Sequence, residues 1–107
     1  MRRQVTLRPD ARLDLEDIHR YTSERFGAEQ ARAYLSSLRA GFDRPADLPK
    51  LGRPIEGLPG VRVWIHHAHH AVIYREHPDR IEVARVIHGA NELELRRALR
   101  HARRLGH

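Results

Sequence analysis

The chain has 107 residues, 40% hydrophobic and 32% charged, with a net charge of +6 and a sequence pI of about 10.9. Those values suit one soluble globular domain that buries about 65% of its unfolded surface, and they exclude acidic disorder and collagen-like or low-complexity sequence. The absence of cysteine excludes a disulfide framework, a thiolate zinc site and a cysteine nucleophile.

No run approaches 18 apolar residues, so no membrane span is expected. The opening MRRQVTLRPD lacks the apolar region of a signal peptide, and a cytoplasmic protein is expected. The basic balance favours an acidic partner: nucleic acid, an anionic membrane or an acidic stretch of another protein.

Gln4 to Leu7 reads as a short strand, closed by Arg8-Pro9. Pro9 suits a first helical turn, and Asp10 places negative charge at the helix N-terminus. From Asp10 to Phe26, Ala11, Leu15, Ile18 and Thr22 recur at helical spacing with Tyr21 beside them, while Arg12, Asp14, Asp17 and Arg20 lie off that stripe. Gly27 suits the residue just past the helix end. A second helix starts at about Ala28 on the stripe Ala31, Tyr34, Leu35, Leu38 and Phe42, so the two helices form a hairpin.

Pro45 is expected to stop or kink the second helix. Leu48 to Gly60 holds three prolines and three glycines and reads as a loop whose leucines pack down. Three strands follow as a meander: Val61 to His66, Ala71 to Glu76 and Arg80 to His88, with HAHH and HPD as turns. Strict alternation in the last strand places Ile81, Val83, Arg85 and Ile87 on one side and Glu82, Ala84, Val86 and His88 on the other.

Asn91 can cap a final helix over about 91–105. Its apolar arc is Leu95, Ala98, Leu99, Ala102 and Leu105, opposite a stripe of Arg96, Arg97, Arg100, Arg103 and Arg104. Residues 91–107 thereby carry half of the net charge, which points first to an acidic protein partner and second to nucleic acid. The order β-α-α-β-β-β plus this basic helix is α+β, a helical hairpin on a twisted antiparallel sheet, with 1–107 as one domain whose core spans about 5–90. The first strand is expected at an edge or between meander strands.

Chemistry is sparse. Phosphate-binding glycine loops and the HExxH motif are absent, and Ser23, Ser36 and Ser37 all fall in helices. No cofactor is expected. His66, His67, His69 and His70 could approach a metal together, but no carboxylate accompanies them and the spacing matches no zinc signature, so they read as a polar turn without metal. His88, at the end of the last strand, has a side-chain type suited to acid–base work. Trp64 and Tyr74 could stack on bases or fill the core, and the area they bury favours the core.

Several runs together resemble ParE toxins of the RelE/ParE superfamily: L-E-D-I-x-R-Y-T-x-x-R-F-G over Leu15 to Gly27, E-Q-A-R-A-Y-L-x-x-L over Glu29 to Leu38, L-P-K-L-G-R-P over Leu48 to Pro54, V-I-Y-R over Val72 to Arg75, and I-E-V-A-R-V-I-H-G over Ile81 to Gly89. Their order and spacing carry the resemblance, which covers about residues 5 to 90. It implies a toxin of a type II toxin–antitoxin system with a helical hairpin on a twisted antiparallel sheet. It further implies binding and poisoning of DNA gyrase, and neutralisation in a hetero-oligomer with a ParD-like antitoxin whose C-terminal segment folds on the toxin.

The alternative is a RelE-like mRNA endoribonuclease, for which the candidate residues are His88, Arg85, Arg62 and Tyr74. The resemblance departs from the nucleases at Ala71 and His66, where basic residues stand in those relatives, and at Ala90-Asn91. Only His88 matches a nuclease histidine, so no catalytic residues are expected and a non-enzymatic inhibitor is favoured. For the antitoxin the candidates are Leu13, Arg62, Trp64, Arg75, Arg85, Arg96 and Arg100, with arginines meeting carboxylates and Leu13 as apolar surface off the core stripe. A nucleic-acid-binding module using the C-terminal stripe is the third reading; direct nucleic-acid binding by the toxin alone and membrane binding are not expected.

Overall fold

The computed structural model describes residues 2–67 and 69–88, together with Arg97 and Arg100. Strand β1 (Gln4–Leu7) leads into helix α1 (Pro9–Phe26), then α2 (Ala28–Gly41) and a short α3 (Asp43–Asp47). A single 3₁₀ turn, Pro49–Leu51, precedes β2 (Arg53–Pro54), and the meander is β3 (Val61–His66), β4 (His70–Glu76) and β5 (Arg80–His88). The expected α+β architecture is present. The sheet order is β1-β5-β4-β3-β2, antiparallel through β2 to β5, with β1 added at one edge parallel to β5.

Each helix follows from its sequence. Pro9 occupies the first turn of α1 with Asp10 beside it, and Ala11, Leu15 and Ile18 bury the expected stripe. Gly27 has φ of 94°, a left-handed conformation that lets a single residue end α1 and begin α2. On α2, Ala31, Leu35 and Leu38 are buried, and Phe42 continues the stripe. The helix stops at Gly41 because Pro45, four residues on, has no N–H to offer the Gly41 carbonyl; Pro45 sits instead, buried, inside α3.

The main core lies between the hairpin and one face of the sheet, where Ala11, Leu15, Ile18, Leu35, Leu38 and Phe42 meet Val72, Tyr74, Ile81, Val83 and Val86. A second cluster, Val61, Val63, Ala71 and Ile73 with Ile55, Leu58, Ala84 and Ile87, occupies the other face.

Three expectations are corrected. Alternation in β5 breaks at Ala84: Ile73 pairs with Arg85 but Tyr74 pairs with Val83, so Ala84 is the extra residue of a bulge. The bulge flips the facing of everything after it, which puts Val86 in the helix-covered core with Ile81 and Val83. Asp14, placed off the α1 stripe by periodicity, turns inward to β5. In the 48–60 loop, Ile55 and Leu58 pack down as expected, but Leu48 and Leu51 are exposed, and the loop contributes β2 to the sheet.

The loop is fixed by Tyr74. Its buried hydroxyl donates to the Pro49 carbonyl (2.5 Å) and accepts from the Gly52 N–H (3.0 Å). A Cβ at position 52 would lie 2.6 Å from that hydroxyl and 2.9 Å from the Val63 carbonyl oxygen, so the Leu-Gly-Arg-Pro run needs glycine there. The expected basic helix over 91–105 lies outside the described residues, apart from Arg97 and Arg100. No helix among the described residues is long and apolar enough to cross a membrane.

Candidate functional site

A cavity of about 640 Å³ opens where the α1–α2 turn overhangs the ends of β4 and β5. Tyr21, Arg25 and Phe26 line it from α1, Tyr34 from α2, His69 from the β3–β4 turn, and His70 and His88 from the sheet. Tyr21 and Phe26 are exposed aromatics at its mouth, and the Arg25 guanidinium stacks 5.3 Å over the Tyr21 ring.

The imidazoles come together through register. His66 pairs with His70 across the β3–β4 hairpin, and His70 pairs with His88 across β4 and β5. Cross-strand partners project to the same side, so all three face the helices. The ring centroids of His70 and His88 are 4.9 Å apart, and those of His66 and His67 4.1 Å. The Tyr34 hydroxyl hydrogen bonds to His70 Nδ1 at 2.5 Å, and Tyr21 lies 6.0 Å from His88.

Burial strips water from His70 and lowers its pKa to about 4, with His88, His69 and His66 adding like-charge repulsion. Burial, then His67 and His69, lowers His66 as well. Burial raises the Tyr34 hydroxyl. Near neutral pH the buried imidazoles are uncharged. Among the described residues no group of three or more His, Asp or Glu side chains is arranged to hold a metal ion.

The four nuclease candidates do not converge. Tyr74 is fully buried and spends its hydroxyl on the 49–52 loop. Arg62, its cross-strand partner, donates to the Gly52 carbonyl (2.8 Å) and lies 3.8 Å from Glu76. Arg85 is held by Asp14 through Nε–Oδ2 at 2.7 Å and Nη2–Oδ1 at 2.9 Å, a bidentate bond that raises its pKa. Only His88 is exposed at a strand end. The spacing from His70 to Tyr74, four residues along β4, is about 13 Å at strand rise, too far for one phosphate.

The antitoxin candidates are spread over the molecule. Leu13 is 56% exposed on α1, and Trp64 packs half-buried against the main core. Arg75 donates to the Pro59 carbonyl at the edge of the second cluster. Arg100 is exposed, and Arg96 lies outside the described residues. Sequence reasoning missed Tyr34 and His70 as a pair. The available signal was H-H-x-H-H: a three-residue turn puts its first and last histidines opposite each other.

Both the sequence and the fold match known proteins. The family model for "ParE toxin of type II toxin-antitoxin system, parDE" matches residues 5–93. The chain is 37% identical over 78 residues to Toxin ParE1 of Caulobacter vibrioides, covering 73% of this chain and 80% of that one. It is 36% identical over 90 residues to Toxin ParE1 of Mycobacterium tuberculosis, covering 82% and 91%. The fold aligns with a chain of the chromosomal ParDE TA system from P. aeruginosa at a TM-score of 0.69 and 21% identity, over 82% of this chain and 97% of that one. With the motifs of both helices, the Leu-Gly-Arg-Pro loop and the final strand all inside the matched span, the chain belongs to the ParE toxin family of type II toxin–antitoxin systems.

Proposed function

We propose that this protein acts in the cytoplasm by binding and poisoning DNA gyrase without substrate turnover, and that a ParD-like antitoxin holds it inactive in a hetero-oligomer. The observation that carries the non-enzymatic reading is the occupation of the cationic side chains. Arg62 and Arg85 are tied to Gly52 and Asp14, and Tyr74 is locked in the core. Cleavage of a phosphodiester needs donors aimed where charge develops, and these residues direct hydrogen bonds to Gly52, Asp14 and Pro49 within the fold.

Leu13, Arg62, Trp64, Arg75, Arg85, Arg96 and Arg100 are the proposed antitoxin contacts. Leu13 on α1, Arg62 and Trp64 on β3, Arg75 on β4 and Arg85 on β5 come from four separate elements, which suits an extended segment that wraps the toxin better than one that docks at a single patch. Leu13 is the clearest anchor, being apolar and more than half exposed.

Purified gyrase tests the target. The wild-type chain is expected to inhibit supercoiling and to accumulate cleaved DNA complexes; absence of both refutes the gyrase reading. In parallel, His88→Ala is expected to leave toxicity in place. Loss of toxicity together with loss of mRNA cleavage would install the ribonuclease reading instead.

A further inference from the structure

We propose that the imidazoles at the sheet end form a proton-operated latch, which holds α2 on the sheet while they are neutral and releases it when they are protonated. This inference does not depend on the cellular target.

The polar ties between α2 and the sheet among the described residues are two, and both end on a buried histidine. Tyr34 reaches His70, and Ser37 Oγ lies 3.5 Å from Nε2 of His66. His66 and His70 are 4% and 6% exposed. Gly41, at the end of α2, lies so close to the His66 ring that a Cβ there would sit 2.6 Å from Nδ1. The ring of His66 is therefore wedged under the helix.

The surrounding charges decide what protonation does. From the β3–β4 turn His67 and His69 face the pair, and from β5 His88 does. From α2 come the neutral Tyr34 and Ser37. From α1 the cavity receives Tyr21, Arg25, Asp14 and Asp17. Asp14 is engaged by Arg85 and by the Val86 N–H, and Asp17 by Arg20 at 3.0 Å. No carboxylate in this set is left to pair with an imidazolium, while Arg25 and the neighbouring imidazoles add positive charge. A buried charge without a partner is relieved by exposure to water.

The element that yields is α2. In its first half only Ala31 is fully buried, whereas α1 is pinned to β5 through Asp14. The depressed pKa of His70 fits this arrangement, because the open form takes up protons that the closed form resists.

Deuterium exchange of the full chain, read by peptide mass spectrometry from pH 7.5 to 4.5 and corrected for chemical exchange rate, tests the latch. Protection of residues 28–41 is expected to fall by up to about tenfold per pH unit below pH 6.5 for each linked proton, while residues 9–20 and 72–87 keep theirs. Loss of protection in all elements together, or an α2 protection indifferent to pH, overturns the proposal. In the double variant His66→Asn with His70→Asn the pH dependence of α2 is expected to vanish, and its persistence is equally fatal. Should that variant not fold, the wild type supplies its own control. Trp64, the single tryptophan, lies 5.5 Å from His66, and protonated imidazole quenches indole emission. Its fluorescence is expected to drop with the midpoint of α2 opening; a different midpoint overturns the latch.

Discussion

Asp14 is the residue whose removal most directly tests how α1 is held on the sheet. Its carboxylate accepts from Arg85 Nε (2.7 Å), Arg85 Nη2 (2.9 Å) and the Val86 backbone N–H (2.8 Å). β1 pairs with β5 only as far as Val83, so beyond that point the outer edge of β5 has no strand, and Asp14 satisfies the Val86 ladder donor. Asp14→Ala leaves a guanidinium and an amide without their acceptor. Hydrogen bonds to charged groups contribute about 1.5–3 kcal/mol each, but the side chains are 12% and 22% exposed and water can replace part of the loss. We expect a net cost of about 3 kcal/mol, which for a domain of this size lowers Tm by about 10–20 °C. Urea denaturation of wild type, Asp14→Ala, Arg85→Ala and the double variant separates the pair from the amide. A coupling of about 1–2 kcal/mol is expected. A single-variant cost below about 0.5 kcal/mol, the range of ordinary surface substitutions, would refute the clamp.

Other substitutions read other parts of the fold. Tyr74→Phe strands the Pro49 carbonyl and the Gly52 N–H and is expected to cost about 1–3 kcal/mol in chemical denaturation, with gyrase inhibition preserved wherever the chain remains folded. Gly27→Ala, at φ of 94° and ψ of 160° with open space around it, is expected to cost about 1–3 kcal/mol through backbone strain alone. Because the folded pKa of His70 is depressed to about 4 from 6.5, the folded form binds fewer protons between those values. Its contribution is therefore complete above pH 6.5 and fades as pH falls toward 4, by at most about 3 kcal/mol; a His70→Asn variant should show a correspondingly flatter stability profile over that window. Leu13→Glu is expected to weaken antitoxin binding at least tenfold in calorimetry without changing Tm.

The parts of the fold legible in the sequence are those specified by near neighbours. Ala11, Leu15 and Ile18 declare α1 by spacing, Gly27 and Pro45 mark the ends of the helices, and alternation marks β3 and the first half of β5. What escaped depends on partners far along the chain. Asp14 reads as a solvent-facing residue until β5 is known to lose its neighbour at Val83, 69 positions later. Ala84 cannot be seen as a bulge from its own strand, because a bulge is defined by a mismatch with β4. The arginines of the sheet read as a free cationic surface only while Gly52, Asp14 and Pro59, their acceptors, are out of view.

The same distinction separates the two candidate uses of the sheet. A ribonuclease of this size would need cations held in place yet left free to meet a phosphate, and such groups would stand out as unsatisfied donors gathered at one spot. In this chain Arg62, Arg75 and Arg85 each donate to an acceptor within the fold. The neutral imidazoles gather instead at the opposite end of β4 from Tyr74, against α2. The sheet arginines thus hold loops and helices to the sheet, which favours recognition over cleavage as the proposed mode of action. A toxin built this way is expected to depend on its surface side chains for binding and to stay toxic when His88 is lost, which is why His88→Ala and Leu13→Glu, measured side by side for toxicity and for antitoxin affinity, discriminate between catalysis and recognition more sharply than either does alone.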